Sequence, residues 1–141
     1  MSRVAAVFIR IPIVALTLVF GLVGIQYLIA PVQTAAGAGI ILTSPGAATV
    51  ARIGFGAFPF AFAALFVLCL VSPGRLLLGL QAELILLTIV MATRIFGMTA
   101  GYSTETGKLL LPEAVMAALC VLAIRLELKR RKRSSSTSTN P

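Results

Sequence analysis

Residues 11–30 read IPIVALTLVFGLVGIQYLIA and contain no charged side chain. A helix needs about 20 mostly apolar residues to cross the hydrocarbon core of a bilayer. This run has that length, comes after Arg3 and Arg10, and ends at Pro31, so it predicts a first membrane-spanning helix. A cleaved signal peptide is the alternative, although the apolar core of a signal peptide is usually shorter, about 7–15 residues.

Three further apolar runs lie downstream, at residues 50–71, 76–98 and 109–128. The turn SPGR at residues 72–75 is rich in helix breakers, and so short a connection places its two helices side by side and antiparallel. Residues 31–49 are rich in Gly, Ala, Thr and Pro and predict a connection whose apolar middle lies at the membrane surface. The fold predicted is therefore all-α, an integral membrane four-helix bundle.

The composition of the 141-residue chain indicates a membrane protein with one domain. Hydrophobic residues make up 59% and charged residues 11% of the chain, whereas a soluble domain has about 25% charged residues. We expect residues 1–10 to form a cytoplasmic N-terminal segment and residues 11–128 to form the transmembrane domain. Residues 129–141 are first basic and then rich in Ser and Thr, which predicts a disordered cytoplasmic tail.

The basic residues predict the orientation of the bundle. Six of the twelve Lys and Arg residues lie within residues 125–133, and Arg3, Arg10 and Arg75 fall on the same side when the helices alternate. Because short cytoplasmic loops carry an excess of basic residues, we expect both termini in the cytoplasm, Lys108 outside, and the chain in the plasma (inner) membrane. The cluster favours contact with anionic membrane lipids. It does not indicate nucleic acid, which would require interleaved aromatic residues or a soluble basic face.

Missing residue types exclude several kinds of active site. The chain has no His and no Asp, which excludes a His-ligated haem, a Cys/His zinc site and a Ser-His-Asp triad. Cys69 and Cys120 lie in apolar runs and form no CxxC motif, so a thiol–disulfide enzyme is not indicated. We expect no metal, no cofactor and no catalytic residue.

Four ionisable residues fall inside the predicted spans: Arg52, Glu83, Arg94 and Glu113. A charge in hydrocarbon is costly, so such side chains usually face the bundle interior and have a partner. Arg52, Arg94 and Glu113 each lie near the outer end of a predicted helix, so we expect these three side chains at one level. They form the predicted polar cluster.

Helical spacing predicts that Arg52 faces the interior. Spacings of 4, 7 and 11 residues fall on one face of an α-helix, and from Arg52 they lead to Gly56, Pro59 and Ala63. Small residues of this kind let helices approach closely in lipid.

Two interpretations of the cluster stay open. In the first, Glu113 bridges one or both arginines and the cluster is a structural clamp. In the second, two arginines against one carboxylate leave a positive charge that holds an anionic lipid headgroup or a small acidic ligand. Tyr102 and Glu105 lie in the loop that would cover such a site, and Glu105 would alternatively neutralise the excess charge.

Glu83 is separated from this cluster by depth. It lies 11 residues before Arg94, so the two side chains share a helix face but differ in height by about 16 Å. On the first helix, Thr17, Gly21 and Gly24 share a face of mostly small residues, which is typical of helix packing. Pairing of this face across a homodimer is one expectation from the pattern.

The chain resembles a family of small bacterial four-span membrane proteins that are loosely DoxX-like. The resemblance rests on Arg52 in Ala51-Arg52-Ile53-Gly54, Arg94 in Thr93-Arg94-Ile95-Phe96-Gly97, and Glu113 in Pro112-Glu113-Ala114, and it covers roughly residues 11–128. It implies a four-helix membrane domain and a link to quinone-associated redox chemistry.

The sequence favours a non-enzymatic bundle that binds a lipid, an anionic small molecule or a partner subunit through the predicted cluster. The alternative is a membrane enzyme or redox-associated subunit that acts on a lipophilic, quinone-like substrate, with Glu113 or Glu83 as acid or base. General acid–base catalysis requires such a group within hydrogen-bonding reach of the reacting proton.

Overall fold

A computed structural model describes residues 3–101 and 105–137 of the chain, with side chains for residues 6–101 and 107–133. All regular structure in these ranges is helical. The α-helices are α1 (Arg3–Phe8), α2 (Ile11–Ile29), α3 (Pro31–Gly37), α4 (Pro45–Ala51), α5 (Phe58–Val71), α6 (Leu76–Thr99) and α7 (Leu110–Thr137). A π-helix (Arg52–Ala57) joins α4 to α5, and a 3₁₀-helix (Glu105–Leu109) precedes α7.

Four helical segments of the described chain are long and apolar enough to cross a membrane. They are span 1 (Ala6–Ile29), span 2 (Pro45–Val71), span 3 (Leu76–Thr99) and span 4 (Gly107–Arg133). Large apolar side chains cover their outer surfaces, as in Leu22 at 63% exposure, which suits a lipid environment. The predicted all-α fold with four helices long and apolar enough to span a membrane is confirmed, and this fold is compatible with a multi-pass membrane protein.

The second span begins earlier than the apolar run predicts. Its helix begins at Pro45, in a position where the missing N–H of proline costs nothing. Ser44 caps this helix because its hydroxyl oxygen accepts a hydrogen bond from the Ala47 N–H at 3.1 Å. Much of the connection predicted at residues 31–49 is thus helical, since α3 and the start of span 2 both fall within it.

The last helix continues beyond the predicted end of span 4. The sequence predicts a tail from residue 129, whereas α7 continues to Thr137. Lys and Arg are good helix formers, and Glu127 pairs with Arg130 and Arg131 at helical spacings of three and four residues. These local interactions extend the helix out of the apolar region.

Spans 3 and 4 pack antiparallel along one interface. Three interactions occur in order from one end to the other: Arg131 with Gly74, Cys120 with Leu80, and Glu113 with Arg94. Sequence numbers fall along span 4 as they rise along span 3. We call the end with the 72–75 turn the terminal end, and the end with α3 and the 3₁₀-helix the opposite end.

Spans 1 and 2 approach each other closely through glycine. A Cβ atom on Gly24 would lie 2.8 Å from the backbone nitrogen of Phe60, and one on Gly56 would lie 3.1 Å from that of Leu28. The face of span 1 that the sequence offers for a homodimer is therefore occupied within the chain. Gly21 also lies on it, with Ala63 of span 2 as its neighbour.

The main apolar core lies towards the terminal end and receives side chains from all four spans. Its buried members are Ile9, Ile13, Leu16, Phe66, Leu76, Leu80, Cys120 and Ala123. A smaller core at the opposite end joins Tyr27, Ala35 and Ala51. The ionisable residues are therefore distributed between two differently packed ends of the bundle.

Candidate functional site

Arg94 and Glu113 form an ion pair between spans 3 and 4. The Nε atom of Arg94 donates to both carboxylate oxygens of Glu113, at 2.9 Å to Oε1 and 3.0 Å to Oε2. The side chains are 22% and 17% exposed, so the pair is shielded from solvent but not sealed. Since only the Nε–H takes part, the two terminal amino groups of Arg94 keep donors for another group.

Arg52 does not join this pair. Its side chain is exposed on the surface of span 2, next to Val50 and Ile53, which are 70% and 52% exposed. The guanidinium forms no hydrogen bond or ion pair with any side chain that the structure describes. The expectation that Arg52 faces the interior of the bundle is therefore wrong.

The π-helix explains this difference. The Phe58 N–H donates to the Ile53 carbonyl, five residues earlier, and such a turn holds one residue more than an α-turn. One added residue rotates the part of the helix before the turn by about 100° relative to the part after it. Gly56 and Ala63 consequently stay buried while Arg52 turns outward.

The local sequence accounts for the π-helix. Pro59 has no N–H to donate, and its ring clashes with the carbonyl four residues earlier in a regular α-helix. A wider turn immediately before Pro59 relieves this clash, and Gly54 and Gly56 within that turn add little steric resistance. The pair of glycines before a proline is the signal in the sequence that simple helical spacing overlooks.

Glu83 lies inside the bundle on span 3 and is 0% exposed. Neither of its carboxyl oxygens has a hydrogen-bond partner in the described chain. A buried polar group of this kind usually indicates a functional role or an unseen small partner, because the cost of removing it from water is not offset. The predicted interior position of Glu83 is observed, at a different depth from the Arg94–Glu113 pair.

The Cys120 thiol adjoins Glu83. Its Sγ atom lies 3.0 Å from the Leu80 carbonyl oxygen, to which it donates across the interface of spans 3 and 4. Gln81, Ala82 and Ile85, close to Glu83 in the sequence, line a shallow groove on the lipid-facing side of span 3. Glu83 itself faces the other way.

Glu127 is, like Glu83, a buried charged residue, and the sequence reasoning missed it. It is 0% exposed, and its Oε1 atom accepts from Arg130 Nη2 at 2.8 Å and from Arg131 Nε at 3.1 Å. Its position within a basic run concealed it. Glu127 lies seven residues after Cys120, so helical spacing places both on one face, and this spacing was the available signal.

Arg131 links span 4 to the turn between spans 2 and 3. Its Nη2 atom donates to the carbonyl oxygens of Pro73 at 3.3 Å and Gly74 at 3.0 Å. The same guanidinium binds Glu127 through Nε. Residues 125–133, which we call the basic segment of α7, are thereby held against the terminal end of the bundle.

Tyr102 and Glu105 are the two loop residues predicted to cover the site. Tyr102 lies outside the described residues, and the side chain of Glu105 does so as well. Among the residues that are described, no group of three or more Cys or Glu side chains is arranged to hold a metal ion.

The ionisable residues therefore fall into three kinds of environment. Arg94 and Glu113 neutralise each other between two helices, which stabilises one packing arrangement. Glu83 is buried, and its carboxyl oxygens have no hydrogen-bond partner among the described residues. Arg52 is exposed on an apolar surface and has no carboxylate partner among the described side chains. A guanidinium in that position is suited to bind phosphate or carboxylate.

Comparisons with protein-family models, with curated proteins and with solved structures found no match to this chain.

Proposed function

We propose that the protein is a non-enzymatic multi-pass membrane protein that binds an anionic group through Arg52. The ligand is a phosphate or carboxylate carried by a lipid headgroup or a small molecule. The supporting observation is the exposed Arg52 guanidinium, which has no ion pair with any described carboxylate. In the proposed orientation, with both termini in the cytoplasm of a plasma (inner) membrane, this site lies on the outer side.

The depth of Arg52 supports this proposal. Arg52 lies seven residues after Pro45, where span 2 begins, which corresponds to about 10 Å along the helix. A long arginine side chain at that depth extends towards the interface and keeps its charged group near the headgroups. There an anion replaces the water that the guanidinium has lost.

The other members of the predicted cluster have supporting roles in the proposal. Glu113 holds Arg94 and thereby joins spans 3 and 4, while the remaining donors of Arg94 face the same end of the bundle as Arg52. Tyr102 and Glu105 are proposed to cover the ligand. Glu105→Gln tests this part, because it should strengthen anion binding if Glu105 competes for the arginines.

Native mass spectrometry of the protein extracted with its lipids tests the proposed function. We expect the wild type to retain an anionic lipid or small acid and Arg52→Gln to lose it. Arg125→Gln is the matched control, because it removes an exposed arginine that lies in neither proposed binding site. The retained mass identifies the ligand as a lipid or a free acid.

Two outcomes would contradict the proposal. Equal retention by wild type and Arg52→Gln would remove Arg52 from the site. A retained mass equal to a second protein chain would mean that Arg52 pairs with a partner subunit, or with a second copy of this chain, rather than with a lipid or small acid.

A membrane enzyme or redox-associated subunit is the second candidate function, and Glu83 favours it. A buried carboxyl whose oxygens lack partners is the type of group that general acid–base catalysis employs. A quinone-like substrate would reach it only if spans 3 and 4 moved apart, since Glu83 has no exposed surface. Co-purification of a quinone that is lost in Glu83→Gln, but not in Arg52→Gln, would favour this candidate. We also propose that the chain is related to DoxX-like proteins, and a co-purified quinone would favour this relationship.

A further inference from the structure

The terminal end of the bundle carries a second feature, independent of Arg52, that faces the opposite leaflet. A groove of about 460 Å³ lies between α5 and α6. Of its nine lining residues only Arg75 is charged, and the other eight are apolar. The groove opens to the lipid-facing surface, where its wall residues Leu65 and Leu78 are 54% and 62% exposed.

We infer that this groove binds one acyl chain of an anionic phospholipid whose phosphate is held by Arg75. Arg75 immediately precedes span 3 and lies at the membrane boundary, whereas the apolar lining extends from there into the bilayer. An amphiphile with an anionic head and a hydrocarbon tail matches this polarity in one orientation only. The head lies at Arg75 and the tail lies towards Phe62.

The length of the groove agrees with a single leaflet. Phe62 is its deepest lining residue on α5, which ends at Val71, and nine helical residues extend about 14 Å. Half of the hydrocarbon core of a bilayer is about 15 Å thick. A chain that runs along the groove from the boundary would therefore reach the middle of the membrane.

The charge of Arg75 is available for this headgroup. Its side chain is exposed and makes no hydrogen bond or ion pair within the described part of the chain. Glu127 is the described carboxylate at the terminal end, and it already accepts from Arg130 and Arg131. Arg75 therefore carries an uncompensated positive charge at the mouth of the groove.

Arg131 brings further positive charge to the same place. By donating to the Pro73 and Gly74 carbonyls, it holds the turn that immediately precedes Arg75 against α7. The basic segment of α7 is thereby fixed beside the groove mouth, where it raises the local concentration of anionic lipid. Arg131 acts here as a positioning residue and Arg75 as the one that binds phosphate.

Lipid titration monitored by native mass spectrometry tests this inference on the full-length chain in detergent. Phosphatidylglycerol is the anionic probe and phosphatidylcholine the zwitterionic reference. We expect wild type to prefer phosphatidylglycerol and Arg75→Gln to bind it about five- to tenfold more weakly, the effect of one lost cation near a phosphate. Binding of phosphatidylcholine should change little.

Filling the groove gives a second variant that leaves all charges in place. Ala82 lines the groove, and Ala82→Trp should block the acyl chain and weaken binding of both lipids. Ala92→Trp is the matched control, because Ala92 is an exposed alanine on the same helix, ten residues further on. Arg75, Ala82 and Ala92 are all exposed, so none of the three substitutions should disrupt the bundle. Thermal unfolding of each variant verifies that it is intact.

The outcomes separate this inference from the proposed function. Loss of phosphatidylglycerol in both Arg75→Gln and Ala82→Trp supports the groove, whether or not Arg52→Gln also loses a ligand. Undiminished binding in Arg75→Gln, or in Ala82→Trp, would overturn it. So would a second copy of the chain, rather than a lipid, as the species lost from Ala82→Trp.

Discussion

Arg94 and Glu113 are joined by a single donor shared between two acceptors, with the Nε atom 2.9 Å and 3.0 Å from the two carboxylate oxygens. They lie nineteen residues apart in the chain, on helices that the intervening loop returns antiparallel. Glu83, on the same helix as Arg94, has no such partner among the side chains that the structure describes. A glutamate carboxyl therefore has opposite effects on the free energy of unfolding at two depths of this interface: Glu113 is paired, whereas Glu83 is not paired within the described chain.

The ion pair predicts an energetic coupling between its two members. Arg94→Leu leaves Glu113 as a partly buried carboxylate without its partner, so we expect a loss of about 1–3 kcal/mol in the free energy of unfolding. In the double variant Arg94→Leu with Glu113→Gln, much of this loss should be recovered. Unfolding of the four species in detergent gives the coupling energy directly. Simple additivity of the two single effects would mean that the pair contributes nothing.

Replacement by leucine should affect the free energy of unfolding in opposite directions at Glu83 and Glu113. Glu83→Leu removes a buried group whose desolvation is not offset, so the free energy of unfolding should stay equal or rise by about 1–2 kcal/mol. Glu113→Leu is the matched control and should destabilise, because it leaves Arg94 unpaired. A strong destabilisation by Glu83→Leu would show that its carboxyl has a stabilising partner.

The close contact of spans 1 and 2 predicts a steric effect at one of two glycines. In Gly24→Ala the added Cβ would lie 2.8 Å from the Phe60 nitrogen, so the helices must separate, at a cost of about 1–3 kcal/mol. In Gly21→Ala the new atom meets only the Ala63 Cβ, at 3.9 Å, and stability should be nearly unchanged. Melting temperatures of the two alanine variants provide the measurement. Equal melting temperatures would contradict the observed helix register.

The link at the terminal end predicts that lysine cannot replace Arg131. A lysine has no fork that reaches Glu127 and two carbonyl oxygens together, so Arg131→Lys should loosen the 72–75 turn from α7. Hydrogen exchange of the amides in this turn should increase in Arg131→Lys. Arg125→Lys, at an exposed position on the same helix, is the control. No difference between the two variants would mean that the contacts to Pro73 and Gly74 do not hold the turn.

The predicted orientation has its own test. Lys108→Cys should react with a membrane-impermeant maleimide added to intact cells, while Ser136→Cys should react only after the membrane is opened. Both experiments use a background in which Cys69 and Cys120 are replaced by alanine. The reverse pattern of labelling would place the termini outside and move the proposed Arg52 site to the cytoplasmic face.

Much of the candidate site is predictable from the sequence, and the exceptions have specific causes. Arg94 and Glu113 are expected at one level because both lie near the end of a helix, and antiparallel packing brings them together. The expected inward position of Arg52 rests on α-helical spacing, which the π-helix before Pro59 interrupts. Glu127 escapes sequence reasoning because the neighbouring basic residues mask a buried position that only packing against the other spans creates.

The sequence by itself determined that four apolar segments form helices across a membrane. The reason is that backbone polar groups in hydrocarbon must be satisfied within each segment, and the apolar run length is then decisive. Tertiary structure alone decided which charges meet, because pairing depends on rotation about each helix axis. One extra residue in a turn changes that rotation by about 100°. This is enough to turn Arg52 to the surface of the bundle, so that, among the described residues, Glu113 pairs with Arg94 alone.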